Sequence, residues 1–250
     1  MLILAYHAIA DEASPVTTTV AQLRADLVAL RQADYGFQSL DDCADWLDGK
    51  RSMPARSVAV TFDDGYQSVV RVALPLLCEL DVAATVFVIA GRLGADNGWP
   101  GQWRSVPRMP LMSATDVREA VSAGMGVGAH AWTHAALPEL DDRDLAREVQ
   151  EAGDHLEQMS GVAVRHFAYP YGRRGPRELA AVSRRYRTAV SATAGIVASG
   201  ASRYDLPRLD AHDIRVARRL RCLSPSTLGP YLEVRRQLRG LRRRFERGAG

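Results

Sequence analysis

Lysine and cysteine are both scarce in this sequence. Lys50 is the only lysine among 32 basic residues, so nearly all positive charge is arginine, which we interpret as a compositional bias and not as the mark of a nucleic-acid binder. The three cysteines, Cys43, Cys78 and Cys222, are odd in number and far apart. This spacing excludes a CxxC zinc site or redox pair and predicts reduced thiols.

Long apolar runs are also missing. No apolar stretch reaches the roughly 18 residues that a membrane span requires, and the start, Met1 to His7, lacks the basic region and the apolar length of a signal peptide. We therefore expect a cytoplasmic protein. Hydrophobic residues make up 47% and charged residues 24% of the 250 residues, which is typical of a folded soluble chain with a single domain.

The net charge of +3 comes from the last twenty residues. Residues 231–250 hold seven arginines against two glutamates. Apolar residues recur there three or four apart, which predicts an amphipathic helix with an arginine-rich face; they are Tyr231, Val234, Leu238, Leu241 and Phe245. Residues 231–247 could contact an anionic membrane surface or pack on the main domain or on a second subunit, and the oligomeric state is left open. We divide the chain into a main domain, residues 1–220, and a basic tail, residues 221–250.

Short apolar runs alternate with amphipathic stretches along the main domain. This alternation predicts parallel strands joined by helices, with chemistry at the carboxyl ends of the strands. The predicted strands are Leu2–Tyr6, Ser57–Phe62, Ala83–Ala90, Gly126–Ala129 and His166–Tyr169, and the predicted helices are Val20–Ala33, Ser68–Leu80, Ala114–Ala123 and Asp142–Met159.

One interval, residues 91–110, shows neither the periodicity of a helix nor that of a strand, and it contains Trp99 and Trp103. A loop of this length is often a binding surface, and exposed tryptophans suit stacking on sugar rings. An ordered loop whose tryptophans cover the core is an equally good interpretation.

Two polar motifs follow predicted strands. Asp63 and Asp64 end an apolar strand, where two like charges are unfavourable unless a cation compensates them, although a helix N-cap would also explain one of them. His130 and His134 lie four residues apart after another strand, a spacing that suits zinc but also occurs in surface histidines. Two histidines and a carboxylate with an open coordination position form a recurrent catalytic metal site, so the two motifs together indicate one.

A third motif runs from His166 to Gly172, where Pro170 and Gly172 predict a sharp turn after a strand. Such a turn can direct a backbone N–H at a developing oxyanion, and its aromatic rings can line a site. A purely structural turn is the alternative.

The segments Thr61-Phe-Asp-Asp-Gly65, His130-Ala-Trp-Thr-His134 and Phe167-Ala-Tyr-Pro-Tyr-Gly172, in this order, resemble the first three motifs of the polysaccharide deacetylase family. This family, with the nodulation-type deacetylase domain, is also called carbohydrate esterase family 4. The resemblance runs from about residue 1 to about residue 210 and is closest in pattern to the poly-N-acetylglucosamine deacetylase-like subgroup. It implies an α/β fold, a distorted (β/α) barrel that forms one domain followed by the amphipathic helix, and metal-dependent hydrolysis of N-acetyl groups on amino sugars.

The resemblance also implies residue roles. Asp64, His130 and His134 match the metal ligands, commonly of zinc, and Asp63 matches the general base for a metal-activated water. The backbone N–H of Tyr171 matches the oxyanion donor. The residues expected to contact the sugar are Trp132, Tyr169, Pro170 and Tyr171.

The general acid has two candidates. His7 ends the first predicted strand and resembles the Tyr-His of the poly-N-acetylglucosamine deacetylase-like subgroup, whereas His212 follows a strand-like segment late in the chain. We favour His7, because a strand that ends in histidine at this position has little structural reason to do so.

Two positions depart from the family pattern. Ala168 stands where an arginine usually holds the catalytic aspartate, and we expect Arg208 to supply that charge. Ala131 replaces a hydroxyl residue that braces the loop after the first histidine.

The expected substrate is an N-acetylhexosamine glycan or a precursor of exopolysaccharide biosynthesis. Two rivals remain: a hydrolase of the same fold acting on a non-sugar amide, which Ala168 favours, and a barrel that binds glycan without turnover. No nucleic-acid-binding motif is present.

Overall fold

Strands and helices alternate along the chain in the structure, a computed structural model that describes residues 1–219, 227–230, 232 and 234. The strands are β1 Leu2–Tyr6, β2 Ala8–Ile9, β3 Thr17–Thr18, β4 Gly36–Phe37, β5 Ser57–Phe62, β6 Ala84–Val88, β7 Gly126–Ala129, β8 His166–Ala168, β9 Thr188–Ala194 and β10 Leu206–Asp210. The helices are α1 Val20–Gln32, α2 Leu40–Leu47, α3 Leu74–Glu79, α4 Ala114–Ser122, α5 Asp142–Ala146, α6 Ala152–Ser160, α7 Pro176–Ser183 and α8 Ala211–Arg219. Wider π-helical turns over Val69–Ala73 and Arg147–Glu151 continue into α3 and join α5 to α6.

Seven of these strands close into a parallel barrel. The hydrogen-bonded order is β1-β5-β6-β7-β8-β9-β10, and β1 pairs with β10 to complete the ring. The short strand β4 pairs with the start of β5. The predicted distorted (β/α) barrel is therefore confirmed.

The alternation of side chains along each strand separates two buried layers. Val58, Val60 and Phe62 of β5 belong to the large apolar cluster shared with the surrounding helices. Ala59, between them, belongs to a smaller cluster inside the barrel, which also receives Cys43 from α2. Since Asp63 continues the alternation of Ala59, it lies at the mouth of the barrel interior.

The carboxyl ends of the strands meet at one end of the barrel, as parallel pairing requires. His7 follows β1, Asp63 follows β5, His130 follows β7 and Tyr169 follows β8. The polar motifs that are far apart in the sequence are thereby brought to one face.

The predicted basic tail lies almost wholly outside the described residues. Leu228 and Leu232 are buried against the core, whereas Val234 is exposed. Within the described part of the chain, no helix combines the length and the apolar character needed to cross a membrane.

Candidate metal centre and active site

Asp64, His130 and His134 converge at the carboxyl end of the barrel. The Oδ1 atom of Asp64 lies 3.2 Å from Nε2 of His130 and 3.3 Å from Nε2 of His134. One donor atom from each residue lies within 4.8 Å of the other two, and all three residues are buried. Two imidazole nitrogens and one carboxylate oxygen form a donor set that suits a divalent cation such as zinc.

The backbone around these ligands is strained. Asp64 has φ 69°, Ala131 has φ 63° and His134 has φ 70°, all in the left-handed region that side chains other than glycine rarely adopt. Each such residue costs about 1–3 kcal/mol and persists only where its surroundings enforce it. These backbone conformations direct the two loops that carry the ligands toward a common point.

His130 has a fixed proton position. Its Nδ1 lies 2.8 Å from the carbonyl oxygen of Ala168, and because a carbonyl only accepts hydrogen bonds, Nδ1 carries a proton. Nε2, the nitrogen that faces Asp64, is therefore the one that a metal would bind in place of a proton. The His134 ring is held differently, by the rings of Trp99 and Tyr171 at centroid distances of 4.4 and 4.6 Å.

Asp63 does not belong to the cluster of metal ligands; it forms an ion pair with Arg208 instead. Nη1 of Arg208 donates to Oδ1 of Asp63 at 2.7 Å and Nη2 donates to Oδ2 at 2.6 Å, with both residues buried. The same guanidinium reaches Thr61 Oγ1 at 3.1 Å and Ser191 O at 3.1 Å. This bidentate pair fixes the orientation of the Asp63 carboxylate.

The pKa values of the site follow from burial and these contacts. Burial alone would raise the pKa of Asp63, but the charge and hydrogen bonds of Arg208 outweigh it and hold the pKa below its usual value. Hydrogen bonds from His130 and His134 likewise outweigh burial at Asp64 and hold its pKa well below the usual value. Burial lowers the pKa of His134. Both carboxylates are therefore ionised, and His134 is neutral at physiological pH.

The position of Arg208 explains how the chain manages without an arginine at Ala168. Ala168 and Leu206 belong to the cluster inside the barrel, and Arg208 follows Leu206 by one alternation of β10. Its guanidinium carbon lies 5.8 Å from the ring centroid of Phe87, another interior residue. The charge thus enters the barrel from β10 instead of β8. The contribution of Arg208 to turnover remains a prediction.

The site opens into a cavity of about 420 Å³. The residues lining it are Ala5, His7, Val16, Asp63, Asp64, Trp99, Gln102, Trp103, His130, His134, Tyr169, Tyr171, Gly172, Ser191, Ala192, Arg208 and Asp210. His7 is half-buried on this wall, whereas His212 is exposed and borders a different groove, near Asp11 and Glu12. Of the two candidates for the general acid, only His7 borders the cavity.

The third motif forms the turn that the sequence predicts. Tyr171 has φ 57° and ψ 8° inside a short 3-10 turn that starts at Pro170, which is buried. A Cβ atom on Gly172 would lie 2.5 Å from the Cβ of Ala192 and 2.8 Å from its backbone nitrogen, so only glycine fits there. Tyr171 is 43% exposed on the cavity wall, and the buried Tyr169 borders the cavity while its hydroxyl donates to the Tyr204 carbonyl at 2.9 Å.

Trp132 does not border this cavity, contrary to its expected role in sugar binding. Its ring packs on His155 at a centroid distance of 5.2 Å and lies under the guanidinium of Arg147. A Cβ atom on Gly91 would come within 2.5 Å of its indole nitrogen. The ring therefore belongs to the packing outside the barrel.

Glu148 is a residue that the sequence reasoning missed. It is buried, and its Oε2 accepts hydrogen bonds from the backbone N–H groups of Trp132 and Thr133 at 2.8 and 2.9 Å, while Oε1 accepts from the Thr133 hydroxyl at 2.5 Å. These bonds tie the loop between the two histidines to the π-helical turn that carries Glu148. Glu148 braces the loop in which Ala131 lacks a hydroxyl.

The fold and the site define a class: an α/β barrel with an Asp–His–His metal centre and a second, separately held aspartate. Residues 50–189 match the family model of polysaccharide deacetylases. The chain belongs to the polysaccharide deacetylase family.

Individual proteins of the family are also similar to this chain in sequence and structure. The chain is 35% identical to the chitooligosaccharide deacetylase of Sinorhizobium fredii over 133 residues, which cover 50% of this chain and 54% of that protein. It is 22% identical to a poly-β-1,6-N-acetyl-D-glucosamine N-deacetylase of Staphylococcus aureus over 167 residues, 61% of this chain and 52% of that protein. The structure of IcaB from Ammonifex degensii superposes with a TM-score of 0.72 at 25% identity, over 83% of this chain and 90% of IcaB. The chain spans a little over half the length of these two relatives, the deacetylases of Sinorhizobium fredii and Staphylococcus aureus.

Proposed function

We propose that this protein is a metal-dependent hydrolase that removes N-acetyl groups from an N-acetylhexosamine-containing glycan or glycoconjugate precursor. The observation that carries the proposal is the division of labour between the two adjacent aspartates. Asp64 lies against the two histidines, while Asp63 is held apart by Arg208 on the wall of the same cavity. One aspartate is thus free for the metal and the other for proton transfer.

We propose zinc as the metal, held by Asp64, His130 and His134. The donor set of two imidazole nitrogens and one carboxylate oxygen supports this choice over magnesium or calcium, which prefer oxygen ligands alone. A divalent cation bound there supplies Lewis-acid chemistry, because it polarises an amide carbonyl and makes water more acidic.

The chain's own groups supply the remaining steps of the proposed reaction. Asp63, ionised because Arg208 lowers its pKa, keeps lone pairs beyond those used by the guanidinium and accepts the proton of the attacking water. His7, on the same wall, is proposed to protonate the departing amine. The turn at Tyr171 is proposed to present its backbone N–H to the developing oxyanion.

The proposed substrate is an amino-sugar glycan. The relatives named for chitooligosaccharide and for poly-N-acetylglucosamine support it, as does the aromatic wall of the cavity, formed by Trp99, Trp103 and Tyr171. In the sequence, Ala168 favoured a non-sugar amide because an arginine is missing at that position. Arg208 now lies inside the barrel beside Asp63, so Ala168 no longer favours that alternative. The cytoplasmic location and the membrane contact of residues 231–247 stay predictions.

Acetate release from a panel of N-acetylhexosamine glycans, glycosides and simple N-acetyl amides tests the proposal. We expect release from the sugars, loss of release on chelation and its return with zinc. Bound metal together with no acetate from any sugar would favour the non-sugar amide hydrolase, and sugar binding without release would favour the glycan-binding barrel.

A further inference from the structure

Thr61 is a fully buried residue of the first motif to which the proposed reaction gives no role. It lies on β5, where Ala59, Thr61 and Asp63 alternate onto the interior face of the barrel. The Thr61 hydroxyl donates to the carbonyl oxygen of Leu4 on β1 at 2.6 Å. A hydroxyl has a single hydrogen, so Thr61 Oγ1 can only accept from its other neighbours.

The neighbour that donates to Thr61 is Arg208. Nη1 of Arg208 lies 3.1 Å from Thr61 Oγ1 and 2.7 Å from Oδ1 of Asp63. This nitrogen carries two hydrogens, so it can bond to both oxygens at once. On the other side of the guanidinium, Nε donates to the Ser191 carbonyl at 3.1 Å. Thr61 and Ser191 therefore anchor the guanidinium from two sides, independently of its contact with Asp63.

The backbone around Arg208 does not by itself fix the side chain. The pairing of β10 with β9 shifts in register between Leu206 and Arg208, and β10 pairs with β1 at Leu209 and Asp210, just beyond Arg208. An arginine side chain also has many rotamers, so holding it in one of them requires specific contacts. The side-chain anchors of Arg208 therefore set the angle at which its guanidinium meets the carboxylate.

We propose that Thr61 is a positioning residue for the general base, because its hydroxyl holds Arg208 in the orientation that bonds both oxygens of Asp63. This inference rests on the proposed function, in which Asp63 accepts the proton of the attacking water. Without the hydroxyl, one N–H of a buried guanidinium loses its acceptor, and burying an unsatisfied donor is unfavourable. The guanidinium then turns toward another acceptor, and the two-pronged contact with Asp63 weakens.

A double-mutant cycle separates positioning from structural support. Acetate release is measured from the methyl β-glycoside of N-acetylglucosamine and its β-1,4-linked and β-1,6-linked trimers, with wild type, Thr61→Val, Arg208→Ala and the double variant. We expect Thr61→Val to lower kcat about tenfold, with KM changed less than about twofold and metal content retained, since one hydrogen bond to a charged group is lost. In the Arg208→Ala background the same substitution should lower kcat by less than about twofold, because the group through which Thr61 acts is gone.

Three further variants make the result specific. Thr61→Ser keeps the hydroxyl and should retain kcat within about twofold of the wild type. Thr61→Ala, which removes the hydroxyl without placing a methyl group beside Arg208, should show the same loss as Thr61→Val and replaces it if the valine variant does not fold. The matched control is Thr188→Val, since Thr188 is fully buried at the amino end of β9 and its hydroxyl lies 2.8 Å from Nδ1 of His166. This control should keep the wild-type kcat.

The outcomes of the cycle distinguish this inference from the proposed function. Equal losses of kcat from Thr61→Val in both backgrounds, or no loss in either, would overturn the positioning role while acetate release by the wild type upholds the proposed function. Equal losses in Thr61→Val and Thr188→Val would also overturn it. No acetate from any of these sugars with the wild type would instead overturn the proposed function, and the role of Thr61 with it.

Discussion

The two ends of the barrel both gather carboxylates, but they neutralise them in different ways. At the amino end of the strands, Arg187 donates to Asp41, Asp45 and Asp48 at 3.1, 2.8 and 3.0 Å, and Arg203 also pairs with Asp48. Every one of these carboxylates has a guanidinium partner.

Of the two adjacent aspartates at the carboxyl end, Asp63 has such a partner, Arg208. Within the described part of the chain, Asp64 forms ion pairs with His130 and His134. Burial lowers the pKa of His134. A buried carboxylate that faces imidazoles is costly without a cation. The carboxylates at the amino end are thus neutralised by arginines of the chain itself. Asp64 at the carboxyl end is instead placed to be neutralised by a metal ion.

Breaking the metal centre should have the largest effect. Asp64→Asn removes the anionic ligand while keeping its size, so we expect loss of bound metal and a fall of kcat to below about one thousandth of the wild-type value. Elemental analysis and acetate release measure both quantities. Asp48→Asn, at the amino end, is the matched control and should keep metal and turnover. Retained metal in Asp64→Asn would contradict the assignment of this ligand.

Removing the partner of Asp63 should lower turnover without emptying the metal centre. For Arg208→Ala we expect kcat to fall about 100-fold with metal content retained, because the base loses its fixed orientation. Loss of the Arg208 guanidinium raises the pKa of Asp63. The acid limb of the plot of kcat against pH therefore moves to higher pH.

Arg208→Lys, which keeps the charge but not the two-pronged contact, should fall between wild type and Arg208→Ala. Unchanged activity of Arg208→Ala would contradict the role of Arg208.

The brace on the histidine loop should matter less than either aspartate. Glu148→Ala frees two backbone N–H groups and the Thr133 hydroxyl, and we expect metal affinity to fall about 10- to 100-fold, measured by competition with a chelator. Glu148→Gln can still accept from the N–H groups and should lose less.

Glu178 is the matched control for Glu148. It is a buried glutamate that caps Gly175 N at 2.6 Å on α7. Glu178→Ala should lower stability and leave metal affinity unchanged. Equal losses of affinity in Glu148→Ala and Glu178→Ala would show a general structural effect and not a brace.

The smallest effect should come from the amino end. Arg203, Lys50 and Arg187 hold the pKa of Asp48 well below its usual value, and a carboxylate of this kind adds stability above its unfolded pKa, near 4, that is lost as pH falls through the folded value. We expect Arg187→Ala to lower the melting temperature at pH 7 by about 2–4 °C, and the difference to narrow below about pH 4. Thermal unfolding across pH measures it, and metal affinity should not change. A loss of metal would show that the two ends are coupled.

Local patterns in the sequence predict the parallel strands and the polar residues that follow them, whereas the closed barrel was expected from the resemblance to the family. Apolar runs define β1, β5 and β7, and parallel strands bring their carboxyl ends together whatever the intervening helices do. The short helix α2 and the strand β9 were not predicted. The helical spacing of Leu40, Cys43 and Ala44 in α2 spans only eight residues, a shorter window than a periodicity argument needs, and the Thr-Ala-Val-Ser-Ala-Thr-Ala segment of β9 carries no clear period.

Contacts made by side chains across the fold were harder to predict. Glu148 acts through backbone N–H groups, which leave no sequence motif, and it is presented by a π-helical turn that the helical pattern of 142–159 does not reveal. Trp132 was misplaced because its ring packs on Gly91, 41 residues earlier in the chain, instead of turning into the cavity beside its neighbours in the motif.

Titration of chelator-treated protein with zinc, followed by calorimetry and by acetate release in the same samples, tests the central claim most directly. The account predicts one zinc per chain, acetate release that returns in proportion to occupancy, and neither in Asp64→Asn. Zinc binding of equal strength in Asp64→Asn, or full acetate release by the chelator-treated protein, would contradict it.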